Sequence, residues 1–175
     1  MVHIFRLLSR KNNSVLLEYF LKNPTTPIYA GELEKKLKMS RQSIFSALEA
    51  VLEAGLLEVR EIGRVRQYTV AKDNPVVKQL KILLSVNYLI PLLEKIKNSG
   101  VEVYLFGSAA RGEDTEKSDT DILIVGDKQK NDVIGMLSEK EKLKPVYFTH
   151  LEYSAMARKD KPFYERIEKD KIRLI

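Results

Sequence analysis

The sequence predicts an α+β protein in two parts: a helical N-terminal half that ends in a hairpin, and a C-terminal half built around buried strands. Three observations carry this. Helical apolar spacing closes at Asn23-Pro24 and again near Gly55; two alternating segments flank Gly63-Arg64; and the apolar runs "EVYLF" and "DILIV" bracket a polar loop. At 175 residues, 44% hydrophobic, with 8 Gly and 6 Pro, the chain has the composition of a folded protein.

The elements follow in order. "NSVLLEYFLKN" sets Val15, Leu16, Tyr19 and Phe20 on one helical stripe. "IYAGELEKKLKMSRQSIFSALEAVLEAG" reads as a helix, a tight turn and a longer helix. Leu33 and Leu37 mark the inner face of the first; Ser40 is the N-cap of the second, whose Ile44, Leu48, Val51 and Leu52 repeat at helical spacing before Gly55. "LLEVREI" and "RVRQYTV" then form strands around Gly63-Arg64.

Helix, turn, helix and basic hairpin over roughly residues 12–70 resemble a winged helix-turn-helix DNA-binding domain. In that resemblance the helix from Ser40 offers Arg41, Gln42, Ser43 and Ser46 to base edges. Lys35, Lys36, Lys38, Arg60, Arg64 and Arg66 meet phosphates on either side. Charge agrees with this. Residues 1–75 carry 12 Lys/Arg against 8 Asp/Glu, a net +4, whereas residues 101–175 carry 14 against 15, a net −1. A small helical domain whose lysines only solubilise it fits the same charge.

"NPVVKQLKILLSVNYLIPLLEKIKNSG" predicts a linking helix bounded by Asn74-Pro75 and Gly100. Its apolar residues cover more than one face, so the sequence predicts packing on several sides, either as a core helix or as a homodimer contact through residues 76–96. Pro91 is placed to kink it or to begin a second segment. Lys81, Asn87 and Pro91 argue against a membrane span, and the start "MVHIFRLLSR" against a signal peptide, so the cytoplasm is the expected compartment.

The C-terminal half carries the chemistry. Asp119 and Asp121, two residues apart, share a strand face as they enter a buried run. Two such carboxylates repel unless a cation lies between them. With no Cys, and imidazole only at His3 and His150, a metal site here must be made of oxygen and suits Mg2+ or Mn2+. Gly107 permits close backbone approach, Ser108 opens a short helix whose N–H groups can hold phosphate, and Arg111 adds a bidentate phosphate contact. A P-loop is excluded, because Glu113-Asp114 stand where Lys-Ser/Thr is needed.

Gly107-Ser108, ten intervening residues with Arg111-Gly112 among them, then Asp119-Thr120-Asp121 and "ILIV", resemble the signature of the nucleotidyltransferase superfamily that includes DNA polymerase β, most closely its minimal stand-alone members. The resemblance covers about residues 100–175 and implies a mixed sheet. It also implies that Gly107 and Ser108 hold a nucleoside triphosphate while Asp119 and Asp121, the catalytic pair in an active enzyme, bind the metal. Active members add a third carboxylate on a later strand. In "KLKPVYFTHLEY" that place reads as Tyr147, with Glu152 or His150 as candidates to rescue it.

The sequence thus predicts a winged-helix domain at 1–74, a linking helix at 75–99 and a nucleotidyltransferase-like domain at 100–175. The expected function is a DNA-binding transcriptional regulator, acting on double-stranded DNA and sensing a magnesium nucleotide. The alternative is an enzyme that transfers a nucleoside monophosphate to a protein, RNA or small molecule.

Overall fold

A computed structural model of the chain describes residues 4–127, 130–135, 137 and 142–175, so His3 lies outside the described residues. The fold is mixed α and β with two separate sheets. It divides into two compact units, Met1–Lys78 and Gln79–Ile175, a division that falls inside the helix read as a linker.

The first unit runs α1 (Ile4–Leu8), α2 (Lys11–Lys22), β1 (Ile28–Tyr29), α3 (Ala30–Leu37), α4 (Arg41–Glu53), β2 (Leu57–Ile62) and β3 (Val65–Val70). Its antiparallel sheet has the order β1-β3-β2. Along α2 the buried apolar residues are Leu16, Leu17, Phe20 and Leu21, while Val15 and Tyr19 are only half-buried, so the stripe is turned one residue from the predicted one. The stripe faces α4, which buries Ile44, Ala47, Leu48 and Val51. Ser40 caps α4, its Oγ accepting from the Ser43 N–H at 3.2 Å. The turn before it is closed by Lys38 at φ 52°, in the left-handed region. Gly63, at φ 62°, makes the two-residue hairpin turn in which Ile62 faces Val65. β1 has no counterpart in the sequence reading. Its two residues pair with Tyr68 and Gln67, a tertiary contact that overrides the helical look of the segment.

α5 (Pro75–Leu93) crosses the division, and the second unit continues through a 3-10 turn at Lys97–Ser99 to β4 (Glu102–Phe106), α6 (Gly107–Ala110), β5 (Thr120–Val125), α7 (Lys130–Gly135), β6 (Leu143–Phe148), α8 (His150–Lys159), α9 (Lys161–Asp170) and β7 (Ile172–Arg173). The sheet order is β6-β5-β4-β7; β5 and β6 are parallel and the other pairs antiparallel. Period two sorts the side chains onto two faces. One carries Val103, Leu105, Ile122, Ile124 and Tyr147 and packs with Leu89 and Leu93 of α5 and Val133 of α7. The other carries Phe106, Leu123, Val125, Val146 and Phe148 and packs with Tyr153, Phe163 and Ile167 of α8 and α9. Each fully buried aliphatic, such as Ile122 or Ile124, contributes about 2–3 kcal/mol of transfer free energy.

α5 departs from the expectation of packing on several sides. Val77, Leu89 and Leu93 are buried, but Val76, Leu83, Tyr88 and Ile90 are exposed. Pro91 sits inside the helix, which ends two residues later. By length and composition α5 could cross a membrane. Lys81 within it is buried, however, with its ammonium 3.1 Å from Asp114 Oδ1 and also donating to the Asp114 carbonyl. Asp114 Oδ1 has no well-aligned hydrogen bond, so the ammonium offsets its burial by charge alone. Deleting one partner of such a pair leaves an uncompensated buried charge, which costs about 3–5 kcal/mol. The pair ties the polar loop after α6 to α5.

A second polar clamp joins α8, α9 and the entry to β7. The Tyr153 hydroxyl donates to Glu168 Oε1 at 2.5 Å, and the Lys171 ammonium pairs with the same oxygen. Burial alone would raise the Glu168 carboxyl, but the hydrogen bonds from Lys171 and Tyr153 outweigh it and hold it below the usual carboxylate range. The folded-state value is the lower one. This contribution is therefore complete above the ordinary glutamate pKa of about 4.3 and is lost as pH falls through the depressed value. Melting curves taken from neutral to acid pH are expected to show a shallower acid limb for Glu168→Gln than for the parent. Parallel limbs would show that the clamp does not couple to protons.

Candidate functional site

The site is built where β4 turns into α6 against the start of β5. Antiparallel register sets Phe106 opposite Asp121, which puts the Asp121 side chain over the next residue, Gly107. Gly107 has φ +75°, and a Cβ there would lie 2.6 Å from Asp121 Oδ2. Glycine is thus required twice over, for backbone conformation and for the approach of the carboxylate. Ser108 follows, half-buried, its carbonyl accepting from the Glu113 N–H at 2.9 Å and the Arg111 N–H at 3.2 Å. The polar loop behind it is held by Ser118 Oγ, which accepts from the Thr115 N–H at 2.9 Å, and by Lys142, whose ammonium donates to the Glu116 carbonyl at 2.6 Å. This fixes the entry of Asp119 and Asp121 into β5.

The two aspartates converge on a cation that belongs to the chain. Parallel register pairs Asp121 with Lys144 of β6, and Lys144 Nζ lies 2.5 Å from Asp119 Oδ2. The Asp121 carboxyl is pushed up by burial and by Asp119, against the pull of Lys144 and of Arg166 on α9. Lys144 is pushed up in turn by its hydrogen bond and charge contact with Asp119. The sequence reading assigned no role to Lys144 or Arg166. Alternation along β6 puts Lys144 on the face of Val146 and Phe148, but only the pairing with β5 brings that face to Asp121.

The same register corrects the third-carboxylate position. Residues opposite one another on neighbouring strands share a face, so the aspartate face of β6 is Lys144, Val146 and Phe148, and Tyr147 points the other way. Its ring is buried in the opposite core and its hydroxyl donates to the Gly126 carbonyl at 2.7 Å. Neither proposed rescue survives. His150 lies six residues beyond Lys144, about 20 Å of extended chain. It starts α8, exposed and beside Asp127. Glu152 is the partner of Thr149 in the capping box of α8, its Oε2 accepting from the Thr149 N–H at 2.8 Å.

Arg111 is likewise committed within the fold rather than held out toward phosphate. Its guanidinium meets Glu113 at 2.9 Å and Asp170 at 3.0 Å, bracing α6 against the end of α9. Asp119 and Asp121, the two ligands that the sequence suggested for Mg2+ or Mn2+, come together here with Lys144 between them. Two carboxylates can hold one such ion with a triphosphate's own oxygens, but they do not supply the oxygens of a two-ion site, and among the described residues no third His, Asp or Glu side chain joins them. A groove of about 760 Å3 lies elsewhere in this unit, between the end of β6 and the helices α8 and α9, lined by Phe148, Met156, Lys159 and Phe163.

In the first unit, Lys35, Lys36, Lys38, Arg41, Gln42, Ser46, Arg60, Arg64 and Arg66 are all exposed. Arg41 stacks over Phe45 at 5.6 Å, Lys36 over Tyr19 at 5.6 Å, and Arg66 pairs with Glu61 at 3.2 Å. Ser43 differs from its assignment to base contact: it is half-buried, and its Oγ accepts from Ser40 Oγ at 2.9 Å within the helix cap. A polar hollow of about 370 Å3 beside it is lined by Gln42, Ser46, Arg10 and Lys11. The last two, at the start of α2, went unremarked in the sequence because that helix reads only through its apolar stripe.

A family profile described as Nucleotidyltransferase domain matches residues 88–175. A Sulfolobus solfataricus protein of known crystal structure, which carries a provisional nucleotidyltransferase name, is 26% identical over 55% of this chain and 84% of its own, with a TM-score of 0.38. No curated protein matches. Because the profile spans half of the sequence, from late α5 through the glycine-serine turn and both aspartates to the last strand, the chain belongs to the nucleotidyltransferase domain family.

Proposed function

We propose that the chain is a DNA-binding transcriptional regulator whose nucleotidyltransferase domain binds a nucleoside triphosphate and senses it. The observation that carries this reading is the first turn of α4, which is capped, exposed and cationic, flanked by an exposed hairpin with Arg60, Arg64 and Arg66. The order helix, strand, helix, helix, hairpin supports a winged helix-turn-helix, with α4 as the helix that enters the major groove. Arg10 and Lys11 add cations at the foot of that helix. Leu83 and Ile90, seven residues apart and exposed on α5, suit a homodimer through residues 76–96 that would read two half-sites. The cytoplasm suits both ligands.

Charge reversal tests the DNA half. Arg41→Glu and Arg64→Glu are each expected to weaken binding to duplex DNA about tenfold or more, and raising salt from 50 to 200 mM to weaken the parent steeply as counterions are released. Gel retardation indifferent to both substitutions would sink the regulator reading.

The second reading, an active nucleotidyltransferase acting on a protein, RNA or small molecule, is favoured by the family match itself and by the retention of Gly107, Ser108, Asp119 and Asp121. It ranks second because the aspartate face of β6 offers Lys144 and Val146 where transfer chemistry needs an oxygen.

A further inference from the structure

Lys144 has an odd place for a surface lysine. It is paired in register with Asp121, on the strand face where the nucleotidyltransferase pattern requires a carboxylate, and its ammonium lies 2.5 Å from Asp119. Its side chain is 63% exposed, so the ion pair does little for stability, and stability is a poor reason for its being there. The neighbouring basic residue Lys142 is committed elsewhere, to the Glu116 carbonyl, so the pairing of Lys144 with the aspartates is not a general crowding of lysines at this edge. Arg166 reaches Asp121 electrostatically from α9, so both acids have a cation supplied by the protein.

A divalent ion shared by Asp119 and Asp121 would have to lie against the Lys144 ammonium or drive it off Asp119. Either course weakens the binding of the ion. We propose that Lys144 is a built-in counter-cation that takes the place of the second divalent ion, so that this site accepts a nucleoside triphosphate at the Gly107-Ser108 turn without assembling a two-ion centre. The proposal rests on the nucleotide-binding reading for its ligand, but the competition between Lys144 and a divalent ion does not. It deepens the sensor reading by supplying a reason why the ligand is held and not consumed.

The experiment is a titration of the full chain with Mn2+ alone, no nucleotide present, in which free Mn2+ is read from its paramagnetic resonance signal. Lys144 is exposed, so Lys144→Gln and Lys144→Arg are expected to melt close to the parent, and Lys144→Asp somewhat below it without metal because it gathers three like charges. Removing the ammonium in Lys144→Gln should tighten Mn2+ binding at least threefold. Lys144→Asp, which sets three carboxylates on one face, should tighten it at least tenfold, and Lys144→Arg should leave it as weak as in the parent. A parent that binds Mn2+ as tightly as Lys144→Gln and Lys144→Asp overturns the proposal. Triphosphate binding to the parent is measured separately by calorimetry. Failure there would remove the nucleotide reading and leave the Mn2+ comparison standing on its own.

Discussion

Gly107→Ala is expected to lose nucleoside triphosphate affinity by at least tenfold, while Gly100→Ala, a few residues upstream, loses none. Both glycines have positive φ, +75° and +65°, so both substitutions carry the left-handed backbone penalty of about 1–2 kcal/mol. Their surroundings differ. At Gly100 nothing lies within 4 Å of an added Cβ, whereas at Gly107 the new atom would be 2.6 Å from Asp121 Oδ2. That contact cannot stand. The carboxylate must rotate off the turn and away from the place where the charges of Lys144 and Arg166 act on it. Calorimetric titration with a non-hydrolysable triphosphate, set beside thermal melts of both variants, separates the effects. Similar losses of stability with a loss of affinity only in Gly107→Ala would tie the turn to the ligand. Equal affinities would show that the close approach of glycine and aspartate serves packing alone.

What could be read in the sequence, and what could not, follows from how local each signal is. Ser40 with its N–H partner three residues on, Gly55 and Gly63 at positive φ, and the alternation of "EVYLF" and "DILIV" are short-range features set by a few neighbouring residues. The reading therefore found α4, the hairpin and the strands around the glycine-serine turn. Tyr147 shows the limit. Its place was read by matching "KLKPVYFTHLEY" to the later strand of the family it resembles, but whether a β6 side chain meets the aspartates depends on register, and a shift of one residue sends it to the opposite face. Arg111 failed for a related reason: Asp170, its partner, lies 59 residues away, and no local pattern announces such a pair. β1 escaped because two residues carry too little pattern to be a strand until β3 lies beside them.

The same correction changes which substitution would restore chemistry. With Lys144 in place, nucleotidyl transfer by the parent chain is expected to run at least about a thousandfold below that of a site with its third carboxylate, because activation of the attacking hydroxyl supplies several kcal/mol and each 1.4 kcal/mol is a factor of about ten. Tyr147→Asp cannot repair this. It would remove a buried ring and its hydrogen bond to Gly126 and leave a charge in the opposite core, a loss of about 3–5 kcal/mol of stability. Lys144→Asp, on the exposed edge of the correct face, is the variant expected to gain transfer. The measurement is transfer of label from a nucleoside triphosphate radioactive at the α-phosphate, with the chain itself and RNA as acceptors. Robust turnover by the parent that disappears in Asp121→Ala would displace the sensor reading and promote the enzyme. Turnover that is absent from the parent and from Lys144→Gln and emerges in Lys144→Asp would identify a carboxylate at this one position as the difference between holding a nucleotide and transferring it.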